Sequence, residues 1–116
     1  ECSQVSGFWQ PSWTGAGNGW WKVDLGVGNA QEVVKLRYKT GDASRAIREF
    51  RLQGSNDDSN WDELVDYDSL DNSLDRQWVT LTTTASYRYY KMVIDNVYFD
   101  GSGNFRSDEI FLYKEV

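Results

Sequence analysis

Residues 50–61, F-R-L-Q-G-S-N-D-D-S-N-W, constrain the fold of this chain more than any other stretch. Apolar Phe50 and Leu52 alternate with polar residues, as in a half-buried strand. The alternation ends at Gly54, and the short polar residues that follow favour a turn because their side chains hydrogen-bond neighbouring main-chain groups. Residues 62–65 then predict a returning strand. The stretch is therefore interpreted as a β-hairpin, and Trp61, just after its turn, is expected to plug the edge of a sandwich below it.

The rest of the chain repeats this pattern of short strands and turns. It is rich in aromatic residues, with 6 Trp, 7 Tyr and 5 Phe, which favour β structure. No stretch has the periodicity of an amphipathic helix, so the sequence predicts an all-β, antiparallel β-sandwich formed by a single domain over residues 1–116. Strands are expected at 20–25, 33–38, 77–81, 87–94 and 110–113, and polar or glycine-rich loops at 8–18, 40–45 and 95–107.

The charge of the chain restricts its partners. The formal net charge is −6, and all the charged residues from Asp57 to Asp75 are carboxylates. An acidic surface repels phosphate backbones and anionic lipid headgroups, which argues against nucleic acid and against a membrane surface as the main partner. The acidic stretch is interpreted as a solvated region, since it lacks the spacing of a calcium-binding loop.

The residue types argue against catalysis. The chain has no His and a single Cys, which excludes Ser-His-Asp and Cys-His arrangements and leaves too few ligands for zinc. The aspartates are numerous, but none lies in a recognisable catalytic motif. Cys2 has no internal partner for a disulfide, so it is either free or paired with another chain. We therefore expect a non-catalytic module.

Four motifs together resemble the discoidin domain, also called the coagulation factor 5/8 C-terminal domain, and the related family 32 carbohydrate-binding modules. They are W-W-K-V-D-L-G at 20–26, G-S-N-D at 54–57 followed by Trp61, Y-R-Y-Y-K-M-V-I at 87–94, and E-I-F-L-Y at 109–113. The resemblance covers most of the chain and implies a jelly-roll sandwich of the galactose-binding-domain type. The first strand of such domains is missing or atypical here, because only residues 1–7 precede the matching region.

The resemblance also implies a binding site in the loops at one end of the sandwich. In carbohydrate-binding members, an aromatic residue in the last loop forms a platform for the sugar, and Phe105, next to Asn104, matches it. An arginine from the loop before the hairpin strand grips hydroxyl groups, and Arg45 is the nearest match. Trp13 and Phe99 are further aromatic candidates in these loops. Aromatic faces stack on pyranose rings while planar polar groups hydrogen-bond their hydroxyls, so a glycan or glycoprotein is the expected partner.

A structural calcium ion is a further expectation from the resemblance. In the family, the closing glutamate and the carbonyl before it bind the ion, and Glu109 and Asp108 match these positions. The other ligands would come from the first residues of the chain.

Two alternatives to glycan binding remain open. In the first alternative, the domain is an assembly subunit of an extracellular filament or virion, joined through an open sheet edge or through Cys2. The other alternative is an adhesion domain that binds a protein, or binds a lipid through apolar residues of the loops. All these interpretations imply an extracellular, cell-surface or virion-associated protein.

Overall fold

The computed structural model describes residues 2–4, 8–12, 20–40, 46–98 and 109–115, and these residues form strands and connections without a helix. The strands are β1 (Cys2–Gln4), β2 (Phe8–Ser12), β3 (Trp20–Asp24), β4 (Gln31–Glu32), β5 (Lys35–Lys39), β6 (Ile47–Ser55), β7 (Asp62–Tyr67), β8 (Gln77–Thr80), β9 (Ser86–Tyr87), β10 (Tyr89–Val97) and β11 (Glu109–Glu115).

Two sheets form the sandwich, and every strand pair in them is antiparallel. One sheet has the order β1-β11-β5-β8 and the other has the order β2-β3-β10-β6-β7. A two-stranded pair, β4-β9, lies beside them. The predicted all-β, antiparallel sandwich is confirmed.

The core lies between the two sheets and follows from side-chain alternation, because successive residues of a strand face opposite sides. In β5, Leu36 and Tyr38 are buried, while Lys35, Arg37 and Lys39 face outward. The inner faces of both sheets contribute to one apolar cluster, which includes Val23, Leu36, Tyr38, Phe50, Leu52, Val79, Tyr90, Met92, Ile94 and Leu112.

Strand β2 corrects the expectation that residues 8–18 form a loop. Residues Phe8–Ser12 pair with Asp24–Trp20 of β3 and form the edge of the five-stranded sheet. Pro11 has no N–H to donate, which an edge strand tolerates because one side of its backbone needs no partner. Short strand β1 occupies the edge of the other sheet, where it pairs with the end of β11.

A break at Arg88 divides the strand that was expected to run unbroken over residues 87–94. The backbone N–H of Arg88 donates to Asn56 Oδ1 at 2.9 Å, so it is withdrawn from the sheet. The guanidinium group donates to both oxygens of Asp24, at 2.7 and 2.9 Å, and Gly26 N–H also donates to Asp24 at 2.8 Å. The hydrogen bonds from Arg88 and then from Gly26 hold the pKa of Asp24 below its ordinary value. These contacts give a physical reason for the V-D-L-G and Y-R-Y strings.

The hairpin turn after β6 is organised by the carboxylate of Asp57. It accepts hydrogen bonds from the backbone N–H groups of Asn60 and Ser59, at 2.8 and 2.9 Å, and from the Asn60 side chain at 2.7 Å. The hydrogen bonds from Asn60 are the main reason why the pKa of Asp57 lies well below its ordinary range. Trp61, directly after the turn, is partly buried, and Lys91 Nζ lies 4.2 Å from the centroid of its ring.

Gly54 lies inside β6, which continues to Ser55. A glycine is needed at this position because a tyrosine ring packs directly against its backbone. A Cβ atom at this position would lie 2.4 Å from Cδ2 of Tyr87. The Tyr87 hydroxyl donates to Asp62 at 2.8 Å, and its ring meets that of Tyr90 edge to face at 5.8 Å. The ring of Tyr87 is therefore fixed at both its edge and its hydroxyl.

The substitution Gly54→Ala should lower the free energy of unfolding by about 2 to 3 kcal/mol, because the new methyl group overlaps a ring that cannot move away. Gly28→Ala is the control: its positive φ of 75° also strains an alanine, but no atom lies within 4 Å of the added Cβ. We expect it to cost about 1 kcal/mol. Chemical denaturation measures both values, and equal costs would show that the Tyr87 contact does not matter.

Tyr90 connects the centre of the five-stranded sheet to the segment before β5. Its ring is fully buried, its hydroxyl donates to the carbonyl of Gln31, and it accepts the N–H of Val33 at 3.1 Å. Burial raises the pKa of Tyr90 to about 12, because the phenolate would lose its solvation.

This pKa predicts a loss of stability in alkali. Below about pH 10, Tyr90 is protonated in both states, and its titration has no effect. Between about pH 10 and 12 the unfolded chain releases the proton while the folded chain keeps it, so the free energy of unfolding should fall by about 2 to 3 kcal/mol in total. Denaturation curves recorded across this range should show a smaller fall for Tyr90→Phe than for the wild type. Denaturation at pH 8, where Tyr90 keeps its proton in both states, provides the reference value for each protein.

Candidate functional site

The strand ends that flank residues 13–19, 41–45, 68–76 and 99–108 lie at one end of the sandwich, which we call the loop end. This follows from the register, in which β2 ends where β3 begins, β5 ends where β8 and β11 begin, and β10 ends where β6 begins. The pairs at these positions are Ser12 with Trp20, Tyr38 with Gln77, Lys39 with Glu109, and Val97 with Ile47. The expectation that the three predicted loops emerge together agrees with this register.

Two tyrosines join these strand ends beneath the loops. The hydroxyl of buried Tyr38, in β5, accepts the N–H of Ile47 at 2.9 Å, which ties the start of β6 to the opposite sheet. The N–H of Tyr98 donates to the carbonyl of Ala46 at 3.1 Å, and its hydroxyl donates to the carbonyl of Leu70. Tyr98 therefore connects three segments that are distant in sequence.

The connection between β7 and β8, residues 68–76, forms one side of the loop end, which we call the 68–76 wall. Leu70 is buried, and its N–H donates to the carbonyl of Arg48 at 3.2 Å. The amide of Gln77 accepts the N–H of Asp71 at 2.7 Å and donates to its carbonyl at 2.9 Å. Arg48 lies over the ring of Tyr98, with 5.9 Å from Cζ to the ring centroid. The wall is thus held by backbone contacts and does not depend on a ligand for its shape.

The binding residues expected from the sequence, Trp13, Arg45, Phe99, Asn104 and Phe105, lie outside the described residues, so their roles stay predictions. Their sequence positions still relate them to the framework. Arg45 precedes Ala46 and Phe99 follows Tyr98, and Ala46 and Tyr98 are hydrogen-bonded to each other. The roles of Tyr38, Tyr98 and Leu70 in this framework could not be predicted from the sequence, because they depend on contacts between distant segments.

The expected calcium ligands have the same standing. Asp108 lies outside the described residues, and only the backbone of Glu109, the first residue of β11 opposite Lys39, is described. Among the side chains that the structure describes, no three acids or cysteines come close enough to hold a metal ion. The calcium site therefore stays a prediction from the resemblance.

A concavity of about 450 Å³ lies at the opposite end of the sandwich. Thr84 Oγ1 donates to Glu32 Oε2 at 2.6 Å within it. Its lining consists of Gln31, Glu32, Val34, Thr84, Lys114 and Glu115. No aromatic ring belongs to this lining, so it lacks the stacking surface on which sugar sites depend. No described segment is a helix long and apolar enough to cross a membrane.

Solved structures with the same fold are carbohydrate-binding modules. A CBM32 module from Clostridium perfringens, in complex with GalNAc-β-1,3-galactose, has a TM-score of 0.70 and 18% identity, over 84% of this chain and 66% of that one. A CBM62 module from Clostridium thermocellum has a TM-score of 0.73 and 15% identity, over 97% of both chains. A chitosan-binding module from Paenibacillus sp. IK-5 has a TM-score of 0.68 and 19% identity, over 90% of this chain and 76% of that one. These likenesses show the fold.

The sequence comparisons identify the family. A search of proteins with curated functions finds no match. The family described as the NedA-like, galactose-binding domain, of the F5/8 C type, matches residues 4–92, which is more than half of the 116-residue chain. The resemblance read from the four sequence motifs is thereby confirmed, and the chain belongs to this family of NedA-like, galactose-binding domains.

Proposed function

We propose that this chain is a non-catalytic carbohydrate-binding module that binds a glycan at the loop end. The convergence of the strand ends there, tied together by Tyr38 and Tyr98, carries the proposal. A rigid sandwich with loops gathered at one end provides a fixed base for side chains that must match the hydroxyl groups of a sugar. The structural relatives include a module solved with a bound disaccharide and a chitosan-binding module, which supports a glycan as the ligand class.

The composition of the connections at the loop end suits this ligand. They contain Trp13, Phe99 and Phe105, which offer apolar faces for pyranose rings, and Arg45 and Asn104, which offer donors and acceptors for hydroxyl groups. The absence of His excludes Ser-His-Asp and Cys-His arrangements, and the aspartates lie in no recognisable catalytic motif, so we assign the chain a role in recognition and not in turnover.

The binding site can be tested on a glycan array with the wild type, Arg45→Ala and Phe105→Ala. The wild type should bind at least one glycan, and each variant should bind it about tenfold more weakly, because each removes either a planar donor or a stacking face. Val27→Ala, an exposed apolar residue on the β3–β4 connection at the opposite end, is the matched control and should bind normally. Absence of binding by the wild type to any glycan would contradict the proposal.

The framework beneath the loops should affect affinity without touching the ligand. Tyr98→Phe removes the hydroxyl that donates to the Leu70 carbonyl and should lower the free energy of unfolding by about 1 kcal/mol. It should also weaken glycan binding a few-fold, because the 68–76 wall loses a tie to β10. Calorimetric titration and thermal melts together check this. Tyr89→Phe, at the opposite end of β10, should change the stability and the affinity less than Tyr98→Phe does. Equal effects of the two substitutions would argue against a special role for Tyr98.

A further inference from the structure

The outer face of the four-stranded sheet carries a group of cations and aromatic rings that the proposed function does not use. We call it the Trp78 face. The register places these side chains in cross-strand rows, with Arg37 between Trp78 and Phe111, and Lys35 next to Tyr113. The face consists of Lys35 and Arg37 of β5, Trp78 of β8, and Phe111 and Tyr113 of β11.

Trp78 is the most prominent member of this face. Its side chain is 48% exposed, although its ring lies 4.8 Å from the ring of Tyr113, centroid to centroid. Lys35 Nζ lies 4.9 Å from the Trp78 ring centroid, and Arg37 Cζ lies 5.4 Å from it. Arg37 also lies 5.2 Å from the ring of Phe111. The indole is therefore held by an aromatic neighbour and by two cations that lie over its ring, and about half of the residue stays exposed to solvent.

The outer face of the other sheet differs in its charge pairing. There Lys22 pairs with Asp58 at 3.0 Å, and Arg51 pairs with Asp95 at 2.9 Å. On the Trp78 face, no described carboxylate forms an ion pair with Lys35. At physiological ionic strength the field of distant charges is screened beyond about 8 Å, so the positive charge near Trp78 acts locally even though the whole chain is acidic.

The size and chemistry of this face select its ligand. About half of Trp78 is exposed, so its open area is that of part of one side chain. A folded protein partner needs about 800 Å² on each side, so a second copy of this chain is a poor match. Nucleic acid binding depends on many phosphate contacts, whereas the outward side chains of β5 offer three described cations. An extended sugar chain needs only a stacking surface with polar groups at its rim, and the cations favour negatively charged sugars.

We propose that the Trp78 face binds an anionic polysaccharide, with a sugar ring on Trp78 and a carboxylate or sulfate group paired with Lys35. The inference rests on the proposed function only for the class of ligand, since its residues lie on strands and not in the loops. The Trp78 face therefore adds a preference for acidic polymers to a module that binds glycans at its loops.

Affinity electrophoresis and calorimetry with polygalacturonate, dextran sulfate and neutral dextran test this proposal. The wild type should bind at least one of the two anionic polymers and should bind it more weakly as salt rises. Trp78→Ala should weaken this binding about tenfold, and Lys35→Gln about threefold. Val27→Ala, also an exposed apolar residue, and Lys91→Gln, the lysine over Trp61 on the other sheet, are matched controls and should bind normally.

Several readouts keep the outcomes distinct. Trp78→Phe keeps an aromatic ring and should recover part of the affinity, and thermal melts of each variant show whether a loss comes from misfolding. Arg45→Ala and Phe105→Ala should keep binding to the anionic polymer, so this proposal and the loop-end site can fail separately. Binding to neither polymer, or wild-type binding by Trp78→Ala, would overturn the proposal. Two further results would also overturn it. In the first, the wild type forms a dimer in light scattering, or binds single-stranded DNA, and does not bind the polysaccharides. In the second, Trp78→Ala abolishes that dimer or that DNA binding instead of polysaccharide binding.

Discussion

Buried tyrosine hydroxyls must be hydrogen-bonded, and this requirement connects the two sheets to the segments that join them. A phenol taken from water into an apolar core loses its solvent partners. If its hydroxyl stays unpaired there, the free energy of unfolding falls by about one to several kcal/mol. In this chain the partners are mainly backbone groups at strand ends and in connections: Tyr90 bonds to the chain at Gln31 and Val33, and Tyr38 bonds to Ile47. The core thus determines the paths of the connections as well as the packing of the strands.

The two ends of the sandwich are stabilised by different means. At the end opposite the loop end, which includes the turn between β6 and β7, charged groups fix the turns. Asp24 bonds to Arg88, and Asp57 bonds to the backbone of its own turn. At the loop end, hydroxyl-to-carbonyl and backbone contacts of Tyr98 and its neighbours perform this function.

Much of the fold could be predicted from the sequence because β alternation and turn residues are local signals. Residues 50–65 predict a hairpin, and β6 and β7 form it. The failures occurred where a distant residue decides the local structure. Pro11 suggested a loop, but the edge position of β2 accepts it, and the unbroken apolar and aromatic pattern at residues 87–94 concealed the break that Asn56 and Asp24 impose on Arg88.

The candidate sites show the same limit more clearly. The loop-end site could be proposed from the sequence because the family resemblance supplied the topology, whereas alternation alone does not tell which strands are neighbours. The Trp78 face joins residues 35–37, 78 and 111–113, and only the order β11-β5-β8 brings them together. Once that order is fixed, the alternation that buries Leu36 and Leu112 necessarily turns Arg37 and Phe111 outward beside Trp78. The same constraint that builds the core therefore places this cluster of cations and rings on the surface.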